Sequence, residues 1–493
     1  MKILYRYSFF IISAVLVIFE ITLILRGQWS GDFWEHSAVV SELSKDLIHP
    51  GNPIVNLNIP HAFFSPFSLF VAFFSRITGL NSIQSLEYFA FFNLLFFLSM
   101  FYFFIKVYFK NNYILVSTLS LLFILLFWGE TPYSWSGFYH IFVLDLVLPY
   151  PSTFAMSLTF LILSLIKRDL LNFNLKRGIL IIILSSIVFI THPTTAIFLF
   201  LGIFALIFTF YHQSFIQCLF KCGKIIIPSL LLCLFWPYFN IIDLFTKNTQ
   251  DFHIDSFNLY ANVFRICWPI LLIIPGLLYF KSDKVIRFLF VLIILTIIFY
   301  ISGFVFKVYG FSRLIANSMM FAHILIAYLV VITARKLNLF AKLYLVVIII
   351  SLLSSIYSNR YSLIKKVNVF KTANNDYYMK YNFLRNIIES DKLILSDSKS
   401  NWFIPSFNGK VISSMHPLYW VNDINERRRA VHSFFTRESS NVLREGIIQK
   451  YHPDYILLNH SEIDLNESTQ KWLNRIGQTT YKSDQLELIE IRK

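Results

Sequence analysis

The chain has 493 residues, of which 56% are hydrophobic and only 14% charged, and its 55 phenylalanines outnumber its 43 lysines and arginines. So much apolar surface cannot be hidden in a soluble domain, which leaves an α-helical polytopic membrane protein. The net charge of +15 could suit nucleic acid, but the cations sit in short loops between apolar runs, the positive-inside pattern, so no nucleic-acid partner is expected.

The first apolar run, residues 7–25, follows Lys2 and Arg6. It is longer than a signal-peptide core and lacks a small-x-small cleavage site before Trp29, so it reads as a retained anchor. Glu20 near its outer end either faces a polar cavity or snorkels towards the headgroups.

The stretch from Trp29 to Pro66 is where we place the chemistry. It opens as Trp29-Ser30-Gly31-Asp32-Phe33-Trp34-Glu35-His36 and closes as Pro60-His61-Ala62-Phe63-Phe64-Ser65-Pro66. Asp32, Glu35 and His36 fall at i, i+3 and i+4, one face of a helix starting near Phe33. Asp32 and Glu35 can equally form a capping box, and a cap does not exclude a catalytic role. His61 and its neighbours read most simply as an entry into the membrane surface.

A crossing needs about 20 apolar residues. Candidate spans are 7–25, 87–105, 113–128, 151–166, 178–191, 195–211, 225–241, 264–280, 288–305, 318–333 and 339–356. His192-Pro193 makes a tight turn between two of them, because proline disfavours helical geometry in the residue before it. The run 63–80 is ambiguous. If it does not cross, Lys106/Lys110, Lys167/Arg168/Lys176/Arg177, Lys221/Lys224, Lys281/Lys284/Arg287 and Arg335/Lys336/Lys342 all join Lys2 and Arg6 on the cytoplasmic side. Short loops obey that bias, so 63–80 is taken as juxtamembrane or re-entrant. The expectation is about eleven spans in a module covering 1–356, with the N-terminus inside and the C-terminus outside.

The outer loops are then 26–86, 129–150, the turn at His192, 242–262 and 306–317. They hold Asp32, Glu35, Glu42, Asp46, Glu130, Asp145, Asp243, Asp251 and Asp255. Glu130 and Asp145 (in the amphipathic stretch 138–149) are candidates to work with Asp32, or ordinary solvated acids. His192 is a helix-end polar group or a ligand. Lys307 and Arg313 run against the positive-inside trend. They suit a phosphate, for which arginine supplies a planar fork of donors, or lipid headgroups. The cysteines Cys218, Cys222, Cys233 and Cys267 all lie in apolar sequence, so neither disulfides nor a metal site is expected from them.

From 357 to 493 charged residues become common, and the tail reads as a soluble extracytoplasmic α/β domain. Buried parallel strands are expected at 392–396, 409–413 and 454–458, helices at 423–435 and 441–451, and a closing edge strand at 486–491.

This pattern resembles the GT-C superfamily, polytopic glycosyltransferases that use polyprenyl-phosphate sugars. The resemblance rests on the inner N-terminus, the large first outer loop with an acid before a juxtamembrane helix, acids in a second outer loop, and a soluble outer domain. It implies that Asp32 in Gly31-Asp32-Phe33-Trp34-Glu35-His36 is the first-loop catalytic acid, with Glu35 beside it. Glu130 or Asp145 would match the second-loop acids, and Arg313 a cation holding the donor phosphate. His36, His61, His192 and Lys307 are further substrate-binding candidates. The implied reaction is an inverting sugar transfer from a polyprenyl-phosphate donor to an envelope glycan, lipid or protein acceptor, at the outer face of a plasma or inner membrane. Neither outer loop carries Asp-x-Asp, so no cofactor is required by sequence, and a divalent cation, magnesium or manganese, stays an alternative. The competing classes are a transporter or flippase, a glycan polymerase or ligase, and a non-catalytic scaffold. A transporter would show repeated halves and charges near the midplane, and apart from Glu20 neither is found.

Overall fold

The computed structural model describes residues 2–27, 29, 31–168, 174–211, 214–246, 255–280, 282–336, 338–372, 376–416 and 418–492. Ser30, Asp251 and Lys281 lie outside the described residues. The chain divides into two compact units. One is helical and holds residues 1–26, 88–236 and 248–373. The other joins the first loop, 27–87, to residues 237–247 and the tail 374–493.

Most of the expected apolar runs in the helical unit correspond to helix, those at 225–241 and 264–280 only in part. Among the described residues seven stretches are long and apolar enough to cross a bilayer, or eight if a pair bent by 65°, Asp255–Ala261 with Val263–Leu277, counts as one crossing. One of the seven, Ser82–Leu126, is 45 residues long, about twice what a crossing needs. It doubles back at Lys110–Asn112: the rings of Tyr102 and Tyr113, eleven positions apart, lie with centroids 5.9 Å from each other. The helices Pro151–Arg168 and Leu175–Thr191 are shorter or less apolar. The latter ends at His192, and Pro193 opens the next helix, Pro193–Tyr211, as the proline dictates.

Three expectations change here. The run at 225–241 is helical only to Cys233, in the helix Phe215–Cys233, which starts early because Ser214 and Gln217 form a capping box. Lys221 and Lys224 therefore lie within that helix. The run at 264–280 is not one regular α-helix: it tightens to a 3₁₀ turn over Trp268–Leu272, with Pro269 in its first turn. The stretch 138–149 is helical only over Leu144–Val147.

Aromatic packing fills the interior of the helical unit. Phe160 lies among Phe97, Phe101, Phe104 and Phe321 at centroid separations of 5.2–5.8 Å. Outward-facing Phe10, Ile11, Val15 and Ile18 of the first helix, Lys2–Ile24, are about half exposed or more, as expected of a lipid-facing stripe. All four cysteines are buried and unbridged.

In the second unit, the ambiguous run forms the helix Pro66–Thr78, 13 residues long, or roughly 20 Å at 1.5 Å per residue, too short to cross. Ser65 caps its start and Gly79, at φ +71°, ends it in the left-handed conformation that glycine adopts freely. Phe67, Val71 and Ala72 are buried, while Phe70, Phe73 and Ile77 are exposed.

The sheet has five strands: β1 (Leu393–Ser396), β2 (Lys410–Val411), β3 (Tyr455–Asn459), β4 (Gly477–Lys482) and β5 (Leu486–Ile491), in the order β2-β1-β3-β5-β4. β2, β1 and β3 are parallel, as their continuous apolar runs suggest. β5 is not the edge: it pairs antiparallel with β3 on one side and β4 on the other. β4, Gly-Gln-Thr-Thr-Tyr-Lys, has no alternating apolar pattern to announce it. The helices Ile424–Phe435, Asn441–Tyr451 and Glu467–Ile476 bury Val431, Phe434, Ile447 and Leu473 with Leu395, Ile456, Leu458 and Ile489 of the sheet. Arg444 is fully buried there, donating to the carbonyls of Phe434, Thr436 and Ser439, so its charge is met by dipoles.

Candidate functional site

The first-loop helix runs Phe33–Lys45 and is buried along most of its length. Asp32 stands at its N-terminus, exposed, with helical backbone angles (φ −64°, ψ −8°) and no capping hydrogen bond from its side chain. The capping box is therefore not formed. Glu35 turns instead towards two histidines: Oε1 lies 3.2 Å from Nε2 of His61 and Oε2 2.9 Å from Nδ1 of His416. All three side chains are almost wholly buried, at 2% exposure or less. The ring nitrogens approach off the hydrogen-bond axis, so these are close charge contacts.

The other ring nitrogens define the histidines. Nδ1 of His61 accepts the backbone N–H of Phe63 at 3.3 Å, which leaves Nε2 carrying the proton that faces Glu35. His416 lies between Glu35 Oε2, 2.9 Å from its Nδ1, and the carbonyl of Trp402, 3.5 Å from its Nε2. Burial alone would raise the Glu35 carboxyl, but His416 and then His61 outweigh it and hold it down at about 2. For His36, stacked on Phe63 with centroids 4.7 Å apart, burial disfavours the charged ring and brings its pKa down to about 4.

A second cluster sits two turns further along the same helix. Lys410 at the start of β2 is buried and donates to Glu42 at 2.7 Å and to the carbonyl of Asn52 at 2.6 Å, with Asp391 at 3.3 Å. Lys45 bridges the same two acids at 2.9 and 2.8 Å. Gly51 passes so close to Glu42 that a Cβ there would lie 2.8 Å from Oε1. Beside it the N–H of Val411 donates to the carbonyl of Ile54 at 2.9 Å, adding the first loop to the free edge of β2.

The structure thus brings Asp32, Glu35, His36 and His61 together within one unit. The remaining candidates belong to the helical unit and are held by separate partners. Asp145 is buried in an ion pair with Lys366 of the helix Arg360–Thr372, so it is no solvated loop acid. Glu130 is half exposed, 3.7 Å from Arg265, at a cavity of about 220 Å³ that Trp268 and Ser354, Ser355 and Ser358 help to line. His192 holds a helix junction, with Nδ1 2.7 Å from the Thr195 hydroxyl and accepting the Thr195 N–H. Arg313 is half-buried with its guanidinium 5.0 Å from the centre of the Trp135 ring. Lys307 is exposed at φ +59°, just past the helix Lys284–Val305.

Sequence reasoning missed His416, Trp402, Lys410 and Lys366. Trp402 and His416 lie in the segments that follow β1 and β2, and the carboxyl ends of parallel strands are where α/β sheets place their sites. That rule could have singled out both loops. Among the described residues no group of three or more His, Cys, Asp or Glu is arranged to hold a metal ion. Glu35 and its two histidines are in contact with one another, and no step below is routed through a metal ion.

No protein-family model and no curated protein matches the sequence. Solved structures do. ArnT from Cupriavidus metallidurans matches in its apo state at TM-score 0.54 and 10% identity, over 98% of this chain and 97% of its own. The same protein bound to undecaprenyl phosphate matches at 0.52 and 9%, over 98% of each chain. The oligosaccharyltransferase of Archaeoglobus fulgidus, tethered to an acceptor peptide containing the NVT sequon, matches at 0.53 and 12%, over 93% of this chain and 70% of its own. That archaeal protein has also been solved with a dolichol-phosphate and an inhibitory peptide, and with zinc and sulfate. At these identities the likeness is one of architecture: this multi-pass membrane chain has the GT-C fold.

Proposed function

We propose that the chain is an integral membrane glycosyltransferase. It moves a sugar from a polyprenyl-phosphate donor to an envelope glycan, lipid or protein acceptor on the outer face of the membrane, with inversion. The observation that carries this reading is Asp32: an exposed carboxylate, unused by the helix cap, at the head of a helix whose first eight residues, 33–40, are buried. Neighbours of the same fold bind undecaprenyl phosphate and dolichol-phosphate, which supports the lipid class.

In this reading Asp32 accepts the proton of the acceptor hydroxyl as that oxygen attacks the anomeric carbon. The bond from the anomeric carbon to the donor phosphate oxygen breaks, and the lipid phosphate leaves with the electron pair. Arg313 and Lys307 are assigned to the phosphate, where positive charge stabilises the departing anion. Glu35 and His61 hold the helix that carries Asp32, and His36 packs beside them. Glu130 and Asp145 remain assigned to the second loop, Asp145 with its charge already matched by Lys366. The basic loops face the cytoplasm and the tail faces outward; a cysteine at position 110 labelled by an outside-only reagent would reverse that assignment.

The test uses membranes from cells with and without the chain, with the host's own polyprenyl-phosphate sugars metabolically labelled in the sugar. The expected result is label leaving the lipid for surface glycan only when the chain is present. Lipid-linked sugar that changes leaflet without transfer would favour a flippase and overturn the reading.

A further inference from the structure

The residues on either side of Asp32 are held from the far end of the sequence. The indole N–H of Trp402 donates to the carbonyl of Gly31 at 2.9 Å, one residue before the acid. The hydroxyl of Ser406 donates to the carbonyl of Trp34 at 2.7 Å, two residues after it. His416 reaches Glu35, and its ring packs on Trp402 with centroids 3.9 Å apart. Trp34 itself packs between Phe403 and Phe407 of the same segment. That segment is rigid in turn: Asp397 accepts the N–H groups of Lys399 and Ser400, and the Ser400 hydroxyl meets that of Tyr381 at 2.9 Å.

Several independent contacts within five residues, all made by one segment of the tail, exceed what is needed to bury one helical turn. Stability alone would be served by the buried apolar face. Fixing the carbonyls before and after a single exposed carboxylate instead sets where that carboxylate points.

We propose that Trp402 and His416 are positioning residues for Asp32, so that the tail sets the geometry of the proton-accepting step. This rests on Asp32 being the base. Positioning at the reacting atoms is sensitive: a displacement of about 1 Å can cost on the order of 10²-fold in rate. Neither residue touches the acceptor in this scheme, so their loss acts on turnover and not on donor affinity.

The experiment measures label transfer in membranes matched for folded protein, with the labelled lipid pool varied. Trp402→Phe removes one N–H and keeps the ring. Its expected effect is about a 10-fold lower rate at saturating donor with unchanged donor KM. His416→Leu is expected to lose more, and His416→Asn, whose amide N–H lies near the Nδ1 position, to recover part of it. If His416→Leu does not fold, Trp402→Phe decides alone. A wild-type rate in Trp402→Phe, or a loss explained by less folded protein or a raised KM, overturns the proposal. If Asp32→Asn transfers at the wild-type rate, the base assignment itself fails. If Asp32→Asn is slow and Trp402→Phe is not, only the positioning role fails.

Discussion

The helix Phe33–Lys45 carries two clusters of buried charge, and they differ in kind. At its N-terminal end Glu35 is matched by His61 and His416. Two turns on, Glu42 is matched by Lys45 and Lys410. The lysine cluster is a fixed anchor, tying the helix to β2 and to the first-loop segment at Asn52. The cluster next to Asp32 also takes in His36, whose pKa burial brings down to about 4, so its hold can change with pH. The difference separates what keeps the helix folded from what sets the angle of its first turn.

The lysine end should break first in stability. Lys410→Met leaves Glu42 buried without its main partner. Removing one member of a buried pair typically costs about 3–5 kcal/mol, read as a large fall in the unfolding temperature of the purified chain.

Acid should act on the histidine end. His36 has a folded pKa of about 4 against an ordinary 6.5, so the native state prefers the neutral ring. The stability this provides is present above pH 6.5 and lost as pH falls towards 4, in total roughly 3 kcal/mol. Glu35, held at about 2, contributes stability above its ordinary pKa that is lost only on falling from about 4.5 to 2. Hydrogen exchange at pH 5 should therefore rise at residues 33–37 before it rises at 41–45. Equal loosening of both ends would remove the distinction between the clusters.

The smallest effect belongs to Lys45→Met. Its side chain is a third exposed, and Lys410 still reaches both acids. A change below about 1 kcal/mol is expected, and a loss matching that of Lys410→Met would show that the two lysines act as one unit.

These clusters also mark where the sequence could be read and where it could not. The apolar runs were legible because a bilayer imposes length and hydrophobicity on contiguous residues, and β1 and β3 because buried parallel strands are apolar throughout. Asp32, Glu35 and His36 stood out by helical spacing, and His61 by proximity in the chain. The partners that decide what Glu35 and Glu42 do, His416 and Lys410, lie more than 360 positions away, and no local period records such a contact. Asp145 looked like a solvated loop acid for the same reason: Lys366 is 221 residues on. The capping box failed because Glu35 found buried histidines that no window around it contains. β4 was missed because it is an edge strand exposed along nearly its whole length, so neither face carries an apolar pattern.

The most direct test of this account is transfer by Asp32→Asn. Asparagine caps a helix about as well as aspartate and keeps its size, so folding and membrane expression should match the wild type. What it removes is the proton acceptor. General-base catalysis is typically worth about 10²- to 10⁴-fold, and the account expects a loss of that order in sugar transfer from the labelled polyprenyl-phosphate pool. Asp32→Glu, which moves the carboxylate by about one carbon–carbon bond, should recover little of it. Transfer by Asp32→Asn at close to the wild-type rate, at matched expression, would contradict the central claim and move the search for the base elsewhere in the outer loops.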